Sequence, residues 1–280
     1  FQTLNWNIQC LRRGVGTGFN FSKIRSTYSK VKTTGEFAAG PIEYLRMYNR
    51  AQDTVRGRGG RGLGSMAILN VDHPNIEDFI EAKDDLVSMT HYNVSVGITN
   101  DFIKAVKNDA DWDLIDPHDK KVYKTVKARE LFEKIAKHAW KSGDPGMYFL
   151  DTAEEGNSTP ELGSMAATNP CGEQPLIPFE TCNMGHINRS NMVKGFPYAE
   201  APDVIEAGTE DKLSFVNWER LEYVTARAVR FLDNIIDVNN YPIKEIEDMT
   251  RKTRNIGVGV MGFADLLVKL GISYGSDESI

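Results

Sequence analysis

Apolar positions recur with two different periods along this chain. In residues 41–55, Tyr44, Met47, Tyr48, Ala51 and Val55 fall three and four apart, which predicts a helix with Pro41 in its first turn. Residues 66–71 are a short, mostly apolar run closed by Asp72, His73 and Pro74, the pattern of a buried strand. Tyr92, Val94, Val96 and Ile98 alternate with Asn93, Ser95 and Gly97, so residues 92–98 read as a strand with two unlike faces. A short amphipathic helix is expected over 76–82, and another after Asn100 or Asp101, either of which can cap it. Residues 127–141 place Leu131, Ile135, Ala136 and Ala139 on one helical face, and 147–150 read as a short strand. Further helices are expected over 218–236, with Leu221, Val224, Ala228, Phe231 and Ile235 inward, over 243–254, and over 263–270, where Gly271 suits the position after the last turn.

Strands that alternate with helices predict βαβ units and a parallel sheet, hence an α/β fold. Loops punctuate the pattern. Gly14, Gly16 and Gly18 form a glycine-rich turn, residues 26–40 are polar, and 56–64 contain five glycines in nine residues, which sustains neither helix nor strand. Residues 195–214 are polar and acidic and read as a surface insertion. There is no internal repeat.

Composition narrows the classes. Of 280 residues, 41% are hydrophobic and 26% charged, with a net charge of −6, so the chain as a whole is no polyanion-binding surface. No apolar run reaches the ~18 residues of a membrane span, and the N-terminus shows no secretory signal pattern. The absent initiator Met suggests a fragment, a processed product or a partial gene. Three cysteines, Cys10, Cys171 and Cys182, argue against a secreted disulfide scaffold and for a cytoplasmic setting. The five histidines are scattered and no Cys/His set has zinc spacing, so no metal site is expected.

The most informative stretch is Asn169-Pro170-Cys171-Gly172-Glu173-Gln174-Pro175-Leu176. Its prolines exclude helix and central strand. If the backbone is extended, Asn169, Cys171 and Glu173 point to one side and offer an amide, a thiol and a carboxyl to one site. A lone cysteine is ordinarily a small buried hydrophobe. The flanking amide and carboxyl, and a second thiol at Cys182, shift the balance towards chemistry.

This stretch closely resembles the finger-loop motif of ribonucleotide reductase large subunits. Cys182-Asn183-Met184-Gly185-His186-Ile187-Asn188 is similar to the segment that follows it there. So are Gly16-Thr17-Gly18-Phe19-Asn20-Phe21 at the glycine-rich entry, Val71-Asp72-His73-Pro74-Asn75-Ile76, and Gly257-Val258-Gly259-Val260-Met261-Gly262. The wording of the finger loop looks most like the class II, adenosylcobalamin-dependent branch. The resemblance implies a ten-stranded α/β barrel of two parallel five-stranded halves with a central finger loop, only partly covered by this chain. Residues 14–165 would be the first half-barrel, 166–190 the finger and redox-cysteine segment, and 191–280 the start of the second half.

The implied activity is reduction of ribonucleoside diphosphates or triphosphates to deoxyribonucleotides for DNA synthesis. Cys171 would be the thiyl radical residue, Glu173 the general base on the 3′-hydroxyl, and Asn169 the residue that holds both in place. Substrate would lie against Gly16, Asn169, Pro170, Cys171, Gly172 and Glu173. Cys182 would be one member of the redox pair that becomes a disulfide, recharged by thioredoxin or glutaredoxin. The resemblance places its partner upstream, and Cys10 sits where the family has a helix. Arg25 and Lys32 match positions that bind a deoxynucleoside triphosphate or ATP effector, and Arg61 is the candidate in the loop that relays effector identity. A homodimer is implied, with burial of the tip inside the barrel, and a radical-generating small subunit if the chain is class I. With so much of the barrel outside 1–280, the chain alone is expected to be inactive.

Other readings of single features are weaker. Asp72 and His73 suit a turn rather than a metal. The Gly14–Gly18 turn lacks the helix and acidic residue of a dinucleotide fingerprint. A nine-residue Arg/Gly-rich loop in an acidic chain makes a poor RNA site. A thiol oxidoreductase built on Cys171 and Cys182 departs from the two-residue spacing of thioredoxin-like pairs. A non-catalytic remnant binding nucleotide through Arg25 and Lys32 stays open.

Overall fold

The computed structural model describes residues 1–56, 63–85, 87–194 and 211–280. They form two compact units, 1–180 with 242–244, and 181–241 with 245–280.

The first unit begins with α1 (Gln2–Arg12) and β1 (Thr17–Asn20), then α2 (Gly40–Arg56), β2 (Ser65–Asn70), α3 (Ile76–Glu81), β3 (Tyr92–Ile98) and α4 (Asn100–Lys107). A hairpin of β4 (Asp111–Ile115) and β5 (Val122–Lys127) follows, then α5 (Ala128–Ser142), β6 (Gly146–Phe149), α6 (Leu150–Glu155) and the short strands β7 (Ala167–Thr168) and β8 (Pro175–Leu176). Strands β1, β2, β3 and β6 lie side by side in that order, all parallel, in the register Thr17↔Ser65, Ser65↔Tyr92 and Ser95↔Gly146. The α/β pattern of the sequence is therefore a parallel sheet with helical crossovers.

The two faces of this sheet differ because side chains alternate along each strand. On one face Ala67, Leu69, Tyr92, Val94, Val96 and Ile98 are buried with Leu45, Tyr48, Ile76, Phe79, Phe102, Leu131 and Ile135 of the helices. Burying each aliphatic side chain of this kind stabilises by about 1.5–3 kcal/mol. The other face carries Gly18, Asn20, Met66, Ile68, Asn70, Asn93, Ser95, Gly97 and Tyr148. Between the buried Met66, Ile68 and Tyr148, its glycines and short polar side chains leave room for a further layer of chain.

Local departures from the sequence pattern have physical causes. In α2 the buried face runs through Ile42, Leu45 and Tyr48 while Tyr44 is exposed, because docking on the sheet sets the rotation of the helix. In α5, Leu131 and Ile135 are buried and Ala136 is not. Thr99, rather than Asn100 or Asp101, caps α4, its hydroxyl accepting from the Phe102 amide at 3.2 Å.

The second unit holds β9 (Asn183–Asn188), α7 (Trp218–Val238), α8 (Lys244–Thr253), β10 (Ile256–Met261) and α9 (Phe263–Leu270). Strands β9 and β10 pair in parallel, with Ile256 opposite Asn183. On α7 the buried residues are Leu232 and Ile236, and Phe231 is exposed, contrary to its expected core position. Adjacent apolar residues leave the phase of the helix open, and the docking of Leu232 against Gly185 of β9 decides it. Arg254 is fixed by Asp233 and Asp237 on α7, at 2.8 and 3.0 Å. Gly271 ends α9 in the left-handed conformation, as its position predicts. The expected surface insertion over 195–214 falls mostly outside the described residues. No helix among the described residues is long and apolar enough to cross a membrane.

Candidate active site

Strands β7 and β8 are antiparallel, with Ala167 opposite Leu176 and Thr168 opposite Pro175, so residues 167–176 form a hairpin with 169–174 at its tip. The tip is a tight turn rather than an extended strand. The Gly172 amide donates to the Asn169 carbonyl at 3.1 Å, with Pro170 and Cys171 between them. Proline presets the backbone of the second turn position, and Gly172 takes φ +86°, a value that favours glycine. The Gln174 amide donates to Asn169 Oδ1 at 3.0 Å, which closes the loop from within.

This geometry corrects the picture of three side chains aligned by extended backbone. Alternation holds only where the chain is extended, and the turn bends it back. Cys171, Gly172 and Glu173 are exposed at the tip, whereas Asn169 is half-buried with its Oδ1 committed to Gln174. The thiol and the carboxyl are thus both exposed on one short turn. The amide braces the turn that presents them, and its Nδ2 makes no hydrogen bond with the described residues. Exposure of Cys171 also differs from the expected burial of the tip.

The leading arm of the hairpin crosses the small-residue face of the sheet, running antiparallel to β1. A Cβ built on Gly18 would fall 1.7 Å from the Thr168 carbonyl oxygen, and one on Gly16 would fall 2.7 Å from Pro170 Cγ. Asn20 Nδ2 donates to the Ala166 carbonyl at 2.9 Å and to Asn70 Oδ1 at 3.1 Å. Positions 16, 18 and 20 therefore face 170, 168 and 166 in constant register. Gly16, singled out in the sequence for close approach to a ligand, makes its close approach in this structure to the finger.

The remaining candidates lie elsewhere. Cys182 lies in the second unit just before β9, half-buried, its thiol 3.6 Å from the Asn183 carbonyl. Cys10 is buried in α1, and burial pushes its thiol up, so it stays protonated. Arg25 reaches the Lys30 carbonyl at 3.5 Å and His118 Nε2 at 3.3 Å, and Lys32 is exposed. Arg61 lies outside the described residues.

Asp116 organises the Arg25 loop. Its carboxylate accepts from the Ser26 and Ser29 hydroxyls and the Ser26 amide, and from the His118 amide at 2.8 Å. Burial opposes ionisation of Asp116, but the donors of Ser26, Ser29 and the His118 amide outweigh it and hold the carboxyl well below the usual carboxylate range. A depressed folded value means this stability is present above the unfolded value and is lost as pH falls. Asp116→Asn is expected to cost about 1–3 kcal/mol at neutral pH. It should also flatten the acid dependence of unfolding below about pH 4. Urea unfolding at pH 7, 4 and 3 checks this, and equal acid slopes in the two proteins would refute it.

Asp116, Asn20, Asn93 and Tyr148 escaped the sequence reading. The signal available was a polar residue inside an apolar strand, as in Asn93 between Tyr92 and Val94.

With this geometry in place, the comparisons with known proteins are specific. The family profile of the ribonucleotide reductase barrel domain matches residues 1–280. The chain is 42% identical over 281 residues to a vitamin B12-dependent ribonucleoside-diphosphate reductase of Mycobacterium tuberculosis, covering 100% of this chain and 38% of that protein. It is 40% identical to the protein of the same name from Thermoplasma acidophilum, covering 100% of this chain and 34% of that one. It is 28% identical to the ribonucleoside-diphosphate reductase subunit alpha of Chlamydia muridarum, covering 100% of this chain and 28% of the relative. The chain thus spans about a third of the length of these two B12-dependent relatives. A match along its whole length, with an exposed thiol and carboxyl on a hairpin laid across a parallel sheet, shows that the chain belongs to the ribonucleotide reductase barrel-domain family.

Proposed function

We propose that this chain carries the radical and proton-transfer residues of a ribonucleoside-diphosphate reductase. The observation that carries the reading is the exposure of both Cys171 and Glu173 on the tip of the 167–176 hairpin. A thiyl radical at Cys171 takes the 3′-hydrogen atom of the ribose, giving the thiol and a sugar radical. Glu173 takes the 3′-hydroxyl proton, and the 2′-hydroxyl takes a proton from one of the two reducing thiols and leaves as water. Two thiols supply two electrons and become a disulfide, after which Cys171 returns its hydrogen atom to C3′. Cys182 is one of the two thiols in this reading, and a thioredoxin- or glutaredoxin-type dithiol restores it. Asn169 keeps the turn closed, and its Nδ2 is available to a sugar hydroxyl. Gly172, whose surroundings are open, lets substrate approach the backbone of the tip, and Gly16, packed against Pro170, would meet substrate at the edge of the finger.

The names of the relatives in the 40–42% range point to adenosylcobalamin as the radical source. The donor set fits. The Cys171 thiol is exposed and makes no hydrogen bond with the described residues, so its S–H can be reached from outside. When bound, the cofactor would supply the one-electron equivalent that removes the thiol hydrogen atom. The rival reading is a class I large subunit served by a radical-generating small subunit. It rests on relatives of lower identity.

The same reading makes the parallel sheet part of a ten-stranded barrel of two five-stranded halves. Residues 14–165 belong to the first half, 166–190 to the finger and redox segment, and 191–280 to the start of the second. Further strands would enclose the exposed tip and exclude water from the radical. Arg25, Lys32 and Arg61 would serve a deoxynucleoside triphosphate or ATP effector in a cytoplasmic homodimer. The test is an assay of the full polypeptide with a ribonucleoside diphosphate, a dithiol and adenosylcobalamin. Cobalamin-dependent formation of the deoxynucleotide is expected. Turnover that instead needs an added small subunit selects the rival, and none under either condition refutes the reading.

A further inference from the structure

We infer that Asn93 is a positioning residue for Cys171, which holds the tip of the finger to the central strand of the sheet. This inference rests on the reading of Cys171 as the radical residue. The leading arm of the hairpin is anchored at its base, where Tyr148 donates its hydroxyl proton to the Met165 carbonyl at 2.7 Å and Asn20 Nδ2 donates to the Ala166 carbonyl at 2.9 Å. Beyond Thr168 the hydrogen bonds of the tip close on the tip itself. The exception is Asn93, whose Nδ2 donates to the Pro170 carbonyl at 2.7 Å. Among the described residues it makes the sole hydrogen bond that joins 169–174 to the sheet.

The carbonyl it holds matters. The Pro170 carbonyl and the Cys171 nitrogen belong to one planar peptide unit. Fixing that oxygen fixes the plane from which the Cys171 Cα leaves the turn. The base of the clamp is rigid, because β3 is paired on both sides, by β2 and β6. Groups mounted on strands hold their geometry better than groups mounted on loops. Asn93 itself is exposed and sits on the small-residue face, so it contributes little to the core. A donor spent there on a loop carbonyl serves the placement of that loop.

The test is made in the full polypeptide with Asn93→Ala and Asn93→Asp. Aspartate keeps the size and shape of asparagine but has no N–H to donate at neutral pH. Both variants are expected to exchange the Gly172 and Gln174 amides roughly fivefold faster, the worth of one hydrogen bond. Loosening the thiol by a fraction of an ångström is expected to lower kcat about tenfold. KM should change by less than about twofold, since the lost contact acts on placement of the reacting group and not on binding. The thermal midpoint should not move, and Asn93→Gln, which restores a donor, should recover part of kcat. Wild-type exchange in both variants overturns the inference. So does unchanged kcat in an active enzyme, or full activity in Asn93→Asp. If the wild-type polypeptide reduces no ribonucleotide, the reading of Cys171 fails, and the exchange rates still decide whether Asn93 holds the tip.

Discussion

Cys171→Ser is expected to abolish ribonucleotide reduction, a loss on the order of 10⁴-fold or more, with no loss of folding. The side chain is exposed and makes no hydrogen bond with the described residues, so it contributes little to stability. Exposed substitutions of this kind stay within about 0.5 kcal/mol. Serine differs from cysteine by one atom, and that atom decides the chemistry. Hydrogen-atom exchange with a ribose carbon needs a heteroatom–hydrogen bond of similar strength. The S–H bond meets that condition, and the O–H bond is too strong to be broken by the same radical source. Turnover by the full polypeptide and thermal midpoints of the two proteins check the result. Activity of the serine variant within tenfold of wild type would remove Cys171 from the radical role. Unfolding of that variant would show that the thiol is structural.

Gly18→Ala should do the next largest damage, from a residue placed against the finger and not in its tip. Its backbone is not in the left-handed region, so alanine meets no conformational penalty there. The obstacle is space: the new Cβ would lie 1.7 Å from the Thr168 carbonyl oxygen, a backbone atom that cannot rotate away. The arm of the finger has to retreat from β1, carrying Cys171 with it. Restoring ordinary contact needs a displacement of more than 1 Å, and a misplacement of about 1 Å at a reacting group can cost 10²-fold. Overpacking adds about 1–3 kcal/mol of destabilisation. The expected result is kcat at least 10²-fold down in a protein that still folds, with faster amide exchange across the hairpin. Wild-type turnover would falsify the account of the finger seat. Gly172→Ala is the contrasting case, because its neighbourhood is open, with Met66 Cε at 3.9 Å, and strain comes from its φ of +86°.

These two expectations separate what local pattern can show from what it cannot. The alternation of Tyr92, Val94, Val96 and Ile98 with Asn93, Ser95 and Gly97 was enough to draw a strand with one apolar face. It did not say what the other face was for. Gly18 reads as a turn glycine and Asn93 as an ordinary strand residue until the hairpin lies across them. Asn169, Cys171 and Glu173 were legible as a cluster, because they are close in sequence and their chemistry is rare in combination. Their relative presentation was not legible. It depends on the hydrogen bond from the Gly172 amide to the Asn169 carbonyl, which turns an extended stretch into a turn. Asp116 was invisible for the same reason. Its donors, Ser26 and Ser29, lie about ninety residues away and meet it only after folding.

The sequence by itself determined the α/β class, most helices and strands, and the family, through motifs whose residues are contiguous. Hydrophobic period and local turn chemistry act over a few residues, so they can be read without a fold. Tertiary structure decided which side of each helix is buried, as in Phe231 and Leu232, and how the finger is seated. It also decided which polar residues hold the finger there. Those outcomes depend on contacts between residues 16 and 170, 18 and 168, and 93 and 170, which no local period encodes. Cys171 and Glu173 are exposed, Asn169 braces the turn, and Gly16, Gly18 and Asn93 meet the finger at Pro170 and Thr168.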